Sequence, residues 1–303
     1  MDKQLRPSIF KRFLALMVDF IVLAILGYIS GFFLEDFYVS LGKYGTLIGS
    51  GVTILYFSVL QSKIGKGQSL GKMAIGAKVT DLKGEYLTFE KSFLRSFIVF
   101  FPLMNIAIFS SGSGMLIIVM LFMLTIFASI YLVFINKSRR CLHDILVSSV
   151  VTNEHVKEFE INDLNDRSTK KLIPIGVVAI LMIAGVVYQT FTENTFTQLL
   201  AAKEKIEGYP GVITVDEVKS GTTTYSGPNR PSTTTSFVKI KVRIDNEEAI
   251  SLNSNYFHEF REIIKTEIPE SQNVDAVSIT LYYGYNIGIA SKTKSVTKTF
   301  ANE

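Results

Sequence analysis

Five long apolar runs, at residues 13–34, 44–61, 92–109, 115–135 and 172–191, restrict this chain more than any other feature. Crossing a bilayer takes about 20 consecutive apolar residues. Each run meets or approaches that length, and the fourth is the purest. The third contains Pro102, which makes it either a kinked span or one arm of a hairpin. Composition agrees: of 303 residues, 48% are apolar and 19% charged, below the ~25% charged usual in soluble domains. A disordered chain, a collagen-like chain and an ordinary cytosolic enzyme are excluded. The first run is too long for the apolar core of a signal peptide, carries Asp19 inside it and lacks a small-x-small cleavage site, so it is expected to remain in place. The single cysteine, Cys141, excludes an internal disulfide framework and a cysteine-based zinc site. A net charge of +4 is too small to argue for nucleic acid.

Basic residues set the orientation, because positive charge stays on the cytoplasmic side. Eighteen Lys and Arg residues fall in the N-terminal tail, the segment between runs two and three with Arg95 at the entry to run three, and the segment between runs four and five, whereas the opposite connections hold Lys43 alone. The N-terminus is therefore expected in the cytoplasm. With five crossings, everything beyond about residue 192 is expected outside. That C-terminal part changes texture. Period-two alternation in Val212-Ile213-Thr214-Val215 and Phe237 to Ile244 predicts strands. The Gly-, Thr-, Ser- and Pro-rich residues 220–236 predict a long hairpin loop or mobile insert. A helix is predicted over 256–267, capped by Asn253-Ser254-Asn255 and ended by Pro269. Two further strands are expected at about 276–283 and 287–299. The fold class is thus an all-α membrane protein of about five transmembrane segments carrying a small extracytoplasmic α+β domain. Its parts are a membrane domain at 1–152, a cytoplasmic linker at 153–171, the fifth transmembrane helix at 172–191 and the outer domain at 192–303.

Asp19 carries the sharpest chemical signal. A carboxylate this far into a span costs about 2.5–3.5 kcal/mol on insertion scales, so something must offset it. Arg12, seven residues earlier, projects from the same face but lies about 10 Å away along the axis. Asp144, in Arg139-Arg140-Cys141-Leu142-His143-Asp144, follows the fourth run and is placed to approach Arg12 from the cytoplasmic side. The plainer alternatives are a packing role for Asp19, a positive-inside anchor for Arg12 and helix capping for Asp144. His143 reads as a polar interface residue, and no metal site is expected.

Arg12, Asp19 and Asp144 together resemble the pattern that names the RDD family of bacterial membrane proteins. Two more stretches are similar to that family: Gly67-Gln68-Ser69-Leu70-Gly71-Lys72 through Val79 resembles its Gly-rich cytoplasmic loop, and Arg140 to Asp144 with the following Val147–Val151 resembles its C-terminal signature. The resemblance covers about residues 6–152 and leaves out the fifth run and the outer domain. It implies a multi-pass domain of the bacterial cell membrane with a role in transport, in some members sodium–proton exchange.

The loop candidates are Gly67, Ser69, Gly71, Lys72, Arg140 and His143. Gly67 to Gly71 spells G-x-S-x-G, but a nucleophile elbow needs a strand and helix around it, which a basic loop between spans does not provide. Nor does the loop fit a phosphate-binding Walker motif. A Gly-rich, Lys-flanked turn can instead cradle an anion, most simply a lipid head group. Residues 74–80 and 147–152 are both short and β-branched, and are expected to pair as a two-stranded ribbon beneath Arg12. Gly27 and Gly31 form G-x-x-x-G, which permits close helix contact. The leading functional expectation is a transporter or cation/proton exchange element built on Arg12, Asp19 and Asp144. The alternative is a membrane-anchored binding or scaffolding protein whose outer domain binds a cell-envelope partner. Enzymatic activity and a cofactor are not expected. The partners expected are the lipid bilayer, Na+ or H+, anionic lipid head groups, and a second copy or cell-envelope protein.

Overall fold

The computed structural model describes residues 6–105, 108, 122–129, 131–132, 140–156, 174, 177–178, 181, 184, 194–227 and 230–301. Most of the fourth and fifth apolar runs, and of the linker, lies outside the described residues.

The first run forms α1 (Ile9–Ser40), started by the Ser8 hydroxyl accepting from the Lys11 amide. Its 32 residues extend about 48 Å at 1.5 Å per residue, well beyond the ~30 Å hydrocarbon core. The last turns therefore project past the span, following a break in helical geometry at Leu34. Among the described residues α1 is the one helix long and apolar enough to cross a membrane. Burial along it is a narrow stripe, Ala15, Asp19, Leu23, Gly27 and Gly31, one residue per turn. Around the rest of its surface Phe10, Phe13, Ile21, Tyr28, Phe32 and Phe33 are exposed. That is a poor arrangement for water and a natural one for lipid.

The second run forms α2 (Gly45–Leu60), and the third forms α4 (Phe89–Met104). Pro102 lies in the last turn of α4 rather than at its centre, so it marks an end, not a kink. Between α2 and α4 lie the five-residue α3 (Leu70–Ala74) and strand β1 (Ala77–Asp81). After the fourth run come α5 (Leu142–Leu146) and β2 (Ser149–Asn153). Strands β1 and β2 pair antiparallel, Val79 opposite Val151, and form the ribbon the two β-branched stretches predict. Within it Ala77, Val79 and Val151 pack with Leu87.

The C-terminal part is a two-layer α+β unit: α6 (Asn194–Glu207), β3 (Val212–Gly227), β4 (Arg230–Ile244), α7 (Tyr256–Glu267), β5 (Ala276–Asn286) and β6 (Ser291–Ala301). The sheet order is β3-β4-β5-β6. The central β4–β5 pair is parallel, the connection passing through α7. Alternate residues Val238, Ile240, Val242 and Ile244 of β4 and Val277, Ile279 and Leu281 of β5 turn to one face. Phe257, Phe260 and Ile264 of α7 and Ala202 and Ile206 of α6 cover them. Asn255 occupies the N-cap position of α7 without a side-chain capping bond.

Residues 220–227 and 230–236 are strand rather than loop or insert. The register of β3 and β4 continues from Ser220 opposite Val238 to Tyr225 opposite Thr233 and closes at Gly227 opposite Arg230. The commonest residue in that stretch is threonine, whose β-branched side chain suits a pleated ribbon. Thr224 and Thr234 hydrogen-bond across it at 3.0 Å.

A candidate charge centre

Asp19 is fully buried, and three donors converge on it. Oδ1 accepts from the Tyr56 hydroxyl and the Gly71 amide, each at 2.7 Å, and Oδ2 accepts from the Ser69 hydroxyl at 2.6 Å. Two of these donors belong to the Gly-rich loop, which the ribbon and α3 fold back against the middle of α1. The fit requires glycine at position 71, because a Cβ there would overlap the Ala15 carbonyl of α1. Gly67 anchors the same loop, its carbonyl accepting from the Val79 amide at 2.8 Å. The hydrogen bonds to Asp19 among the described residues come from neutral donors, whereas the sequence reading has Arg12 and Asp144 offset its charge. The Arg12 guanidinium reaches the ribbon instead, donating to the Val151 carbonyl at 3.1 Å.

Asp144 occupies a second subsite, also buried. Oδ1 accepts from Arg95 Nε at 2.8 Å and the Ser149 hydroxyl at 2.9 Å, and Oδ2 from the Cys141 amide at 3.3 Å. Asp144 thus caps α5, but as a buried residue rather than the solvated cap of the plainer sequence reading, and it is also half of a buried ion pair. Arg95 donates onward to Gln61 Oε1. Arg140 fixes α5 to the ribbon through the Ser149 carbonyl at 2.9 Å and the Asp144 carbonyl at 3.0 Å. Burial opposes the charge on Asp144, but Arg95, His143 and Arg12 outweigh it and hold the carboxyl well below the usual range. Burial pulls the His143 imidazole down to about 4, so it is neutral near pH 7.

Lys72 connects the subsites electrostatically. Among the described residues no carboxylate lies within ion-pair distance of its ammonium, which stands 5.7 Å from the Phe57 ring centroid. Burial and the Arg95 charge pull its pKa down to about 7, although Asp19 and Asp144 act to raise it. Arg12, Lys72, Arg95, His143 and Asp144 share a cavity of about 240 Å3. Its other wall is apolar, from Leu16 and Phe20 of α1 to Phe57, Phe100 and Leu103.

Cys141, His143 and Asp144 place their ligand-type atoms within 4.8 Å of one another. Burial pushes the Cys141 thiol up to about 12, and Arg95 already pairs with Asp144.

Arg95, Gln61, Tyr56 and Ser149 are the members of this centre that sequence reasoning missed. The available signal was the polar stripe Ser92, Arg95 and Ser96 at helical spacing on the buried face of an otherwise aromatic α4. The helices and the centre together define a membrane domain with a buried polar core at one end and a sheet domain attached. Residues 6–148 match the family model described as the RDD family. The sheet domain lies beyond the match. No curated protein and no solved structure matches the chain.

Proposed function

We propose that the chain is a multi-pass membrane protein whose RDD domain exchanges a cation for a proton at the charge centre. Five crossings, an N-terminus in the cytoplasm and a sheet domain outside follow from the apolar runs and the distribution of basic residues. The observation that carries the exchange reading is Lys72, a cavity-lining ammonium titrating near neutrality within electrostatic reach of two buried carboxylates. Loss of its proton removes one positive charge from a site shared with Asp144, whose carboxyl is held well below the usual range. A monovalent cation such as Na+ entering the cavity restores the balance, and reprotonation of Lys72 expels it.

The experiment is a sodium pulse applied to proteoliposomes containing a trapped pH dye. Wild-type protein should give sodium-dependent proton movement, and Lys72→Met and Asp19→Asn should lower it at least tenfold while still inserting. Equal flux in all three proteins would end the exchange reading. The sheet domain, with its own packed core, favours a second reading as a membrane-anchored binding protein for a cell-envelope partner. Deleting residues 193–303 separates the two, since exchange should survive the deletion and envelope binding should not.

A further inference from the structure

The paired glycines of α1 do not receive another helix. They receive the tip of the β5–β6 hairpin, residues 287–290, which lies between α1 and α2 at the end of the bundle away from the charge centre. A Cβ on Gly27 would come 2.9 Å from Ile289 Cγ1, and one on Gly45 would come 2.8 Å from the Asn286 carbonyl oxygen. At Gly31 and Gly49 a Cβ would overlap the Tyr285 hydroxyl and the Ile287 carbonyl.

The tip, Ile287-Gly288-Ile289-Ala290, is uncharged, and the hairpin satisfies its own amides there. Ile287 N donates to the Ala290 carbonyl at 3.0 Å and Gly288 N to Asn286 Oδ1 at 2.8 Å. It enters an apolar site without stranding these donors. At the base Lys292 Nζ donates to both Glu35 oxygens at 2.7 Å, and Tyr38 and Val39 pack on Tyr285 and Ile287. At the inner end Ile289 packs against the cluster of Leu23, Ile54, Phe57 and Phe100. Phe57 and Phe100 are stacked with centroids 4.7 Å apart, and both line the cavity that holds Lys72. The cluster that receives Ile289 therefore includes the aromatic pair that lines the cavity.

We propose that the hairpin tip is an intramolecular plug: seated between α1 and α2 it braces the Phe57–Phe100 stack and keeps the cavity closed, and its withdrawal by the sheet domain loosens the cavity. The proposal holds whichever ion the cavity exchanges. Cys141 lines that cavity and is the only thiol in the chain, so its maleimide labelling rate in purified full-length protein reports cavity opening without any transport assay. Lys292→Glu faces Glu35 with a like charge and should raise the rate about two- to fivefold, the range a surface ion pair controls. Adding Glu35→Lys to that variant should return the rate to the wild-type value. Gly49→Leu expels the tip outright and should raise the rate at least tenfold with helical circular dichroism retained. If Gly49→Leu does not fold, the charge-reversal pair decides. Wild-type labelling rates in Lys292→Glu, or acceleration that the second reversal does not correct, would overturn the plug.

Discussion

The Gly71 amide donates to Asp19 Oδ1 at 2.7 Å, which fastens a loop to the middle of a helix 52 residues earlier in the chain. Gly71 can do this because its missing side chain lets the loop backbone come against the Ala15 carbonyl. Gly71→Ala should therefore push the loop off α1, costing about 1–3 kcal/mol as an overpacked contact. Ser69→Ala removes one donor to the carboxylate and should cost about 1.5–3 kcal/mol. Urea unfolding of the detergent-solubilised protein measures both losses.

The Arg95–Asp144 pair sets up a second prediction. Arg95→Ala leaves Asp144 buried without its counter-charge and should destabilise by about 3–5 kcal/mol. The double variant Arg95→Met/Asp144→Leu removes both charges together and should recover much of that loss. The coupling is read from a double-mutant cycle. Additive effects would mean that the pair is not energetically joined.

Acid sensitivity follows from His143 and Asp144. The folded protein keeps His143 neutral down to about pH 4, whereas the unfolded chain takes up that proton near 6.5. The unfolded state binds more protons across this window, so stability should fall as pH drops through it, by on the order of 3 kcal/mol. Below about pH 4 the unfolded chain also protonates Asp144 before the folded state does, which adds to the loss. His143→Gln should flatten the first part of the curve and leave the second.

Lys72 acts with the same sign in a window at higher pH. Between its folded value of about 7 and the ~10.4 of an unfolded lysine, the unfolded chain alone holds the proton. Stability should rise with pH across that window and level off above it. Lys72→Met should abolish the rise in thermal melts recorded from pH 7 to 10.

Local pattern carried much of this molecule. The apolar runs placed α1 and α2 closely, Val79 and Val151 marked the ribbon, and the spacing of Phe257, Phe260 and Ile264 gave α7 the bounds the structure shows. A carboxylate inside an apolar run marked Asp19, and the glycines of the loop marked what meets it. The partner of Asp144 was not legible, because Arg95 lies 49 residues away and no periodicity within one element reports a contact between two. Threonine misled at 220–236, since the composition of a loop and the side-chain shape of a strand coincide there. Gly27 and Gly31 correctly signalled close approach but could not say that a hairpin, 250 residues later and from another domain, would be the visitor.

The most direct test of the exchange account is the number of protons released when sodium chloride is added to weakly buffered, purified protein at pH 7, with choline chloride as the control. A cation that replaces the Lys72 proton should release up to about half a proton per chain in the wild type, since only about half of a group with a pKa near 7 is protonated at that pH. No release should occur in Lys72→Met. Release of the same size from Lys72→Met, or none from the wild type, would contradict it.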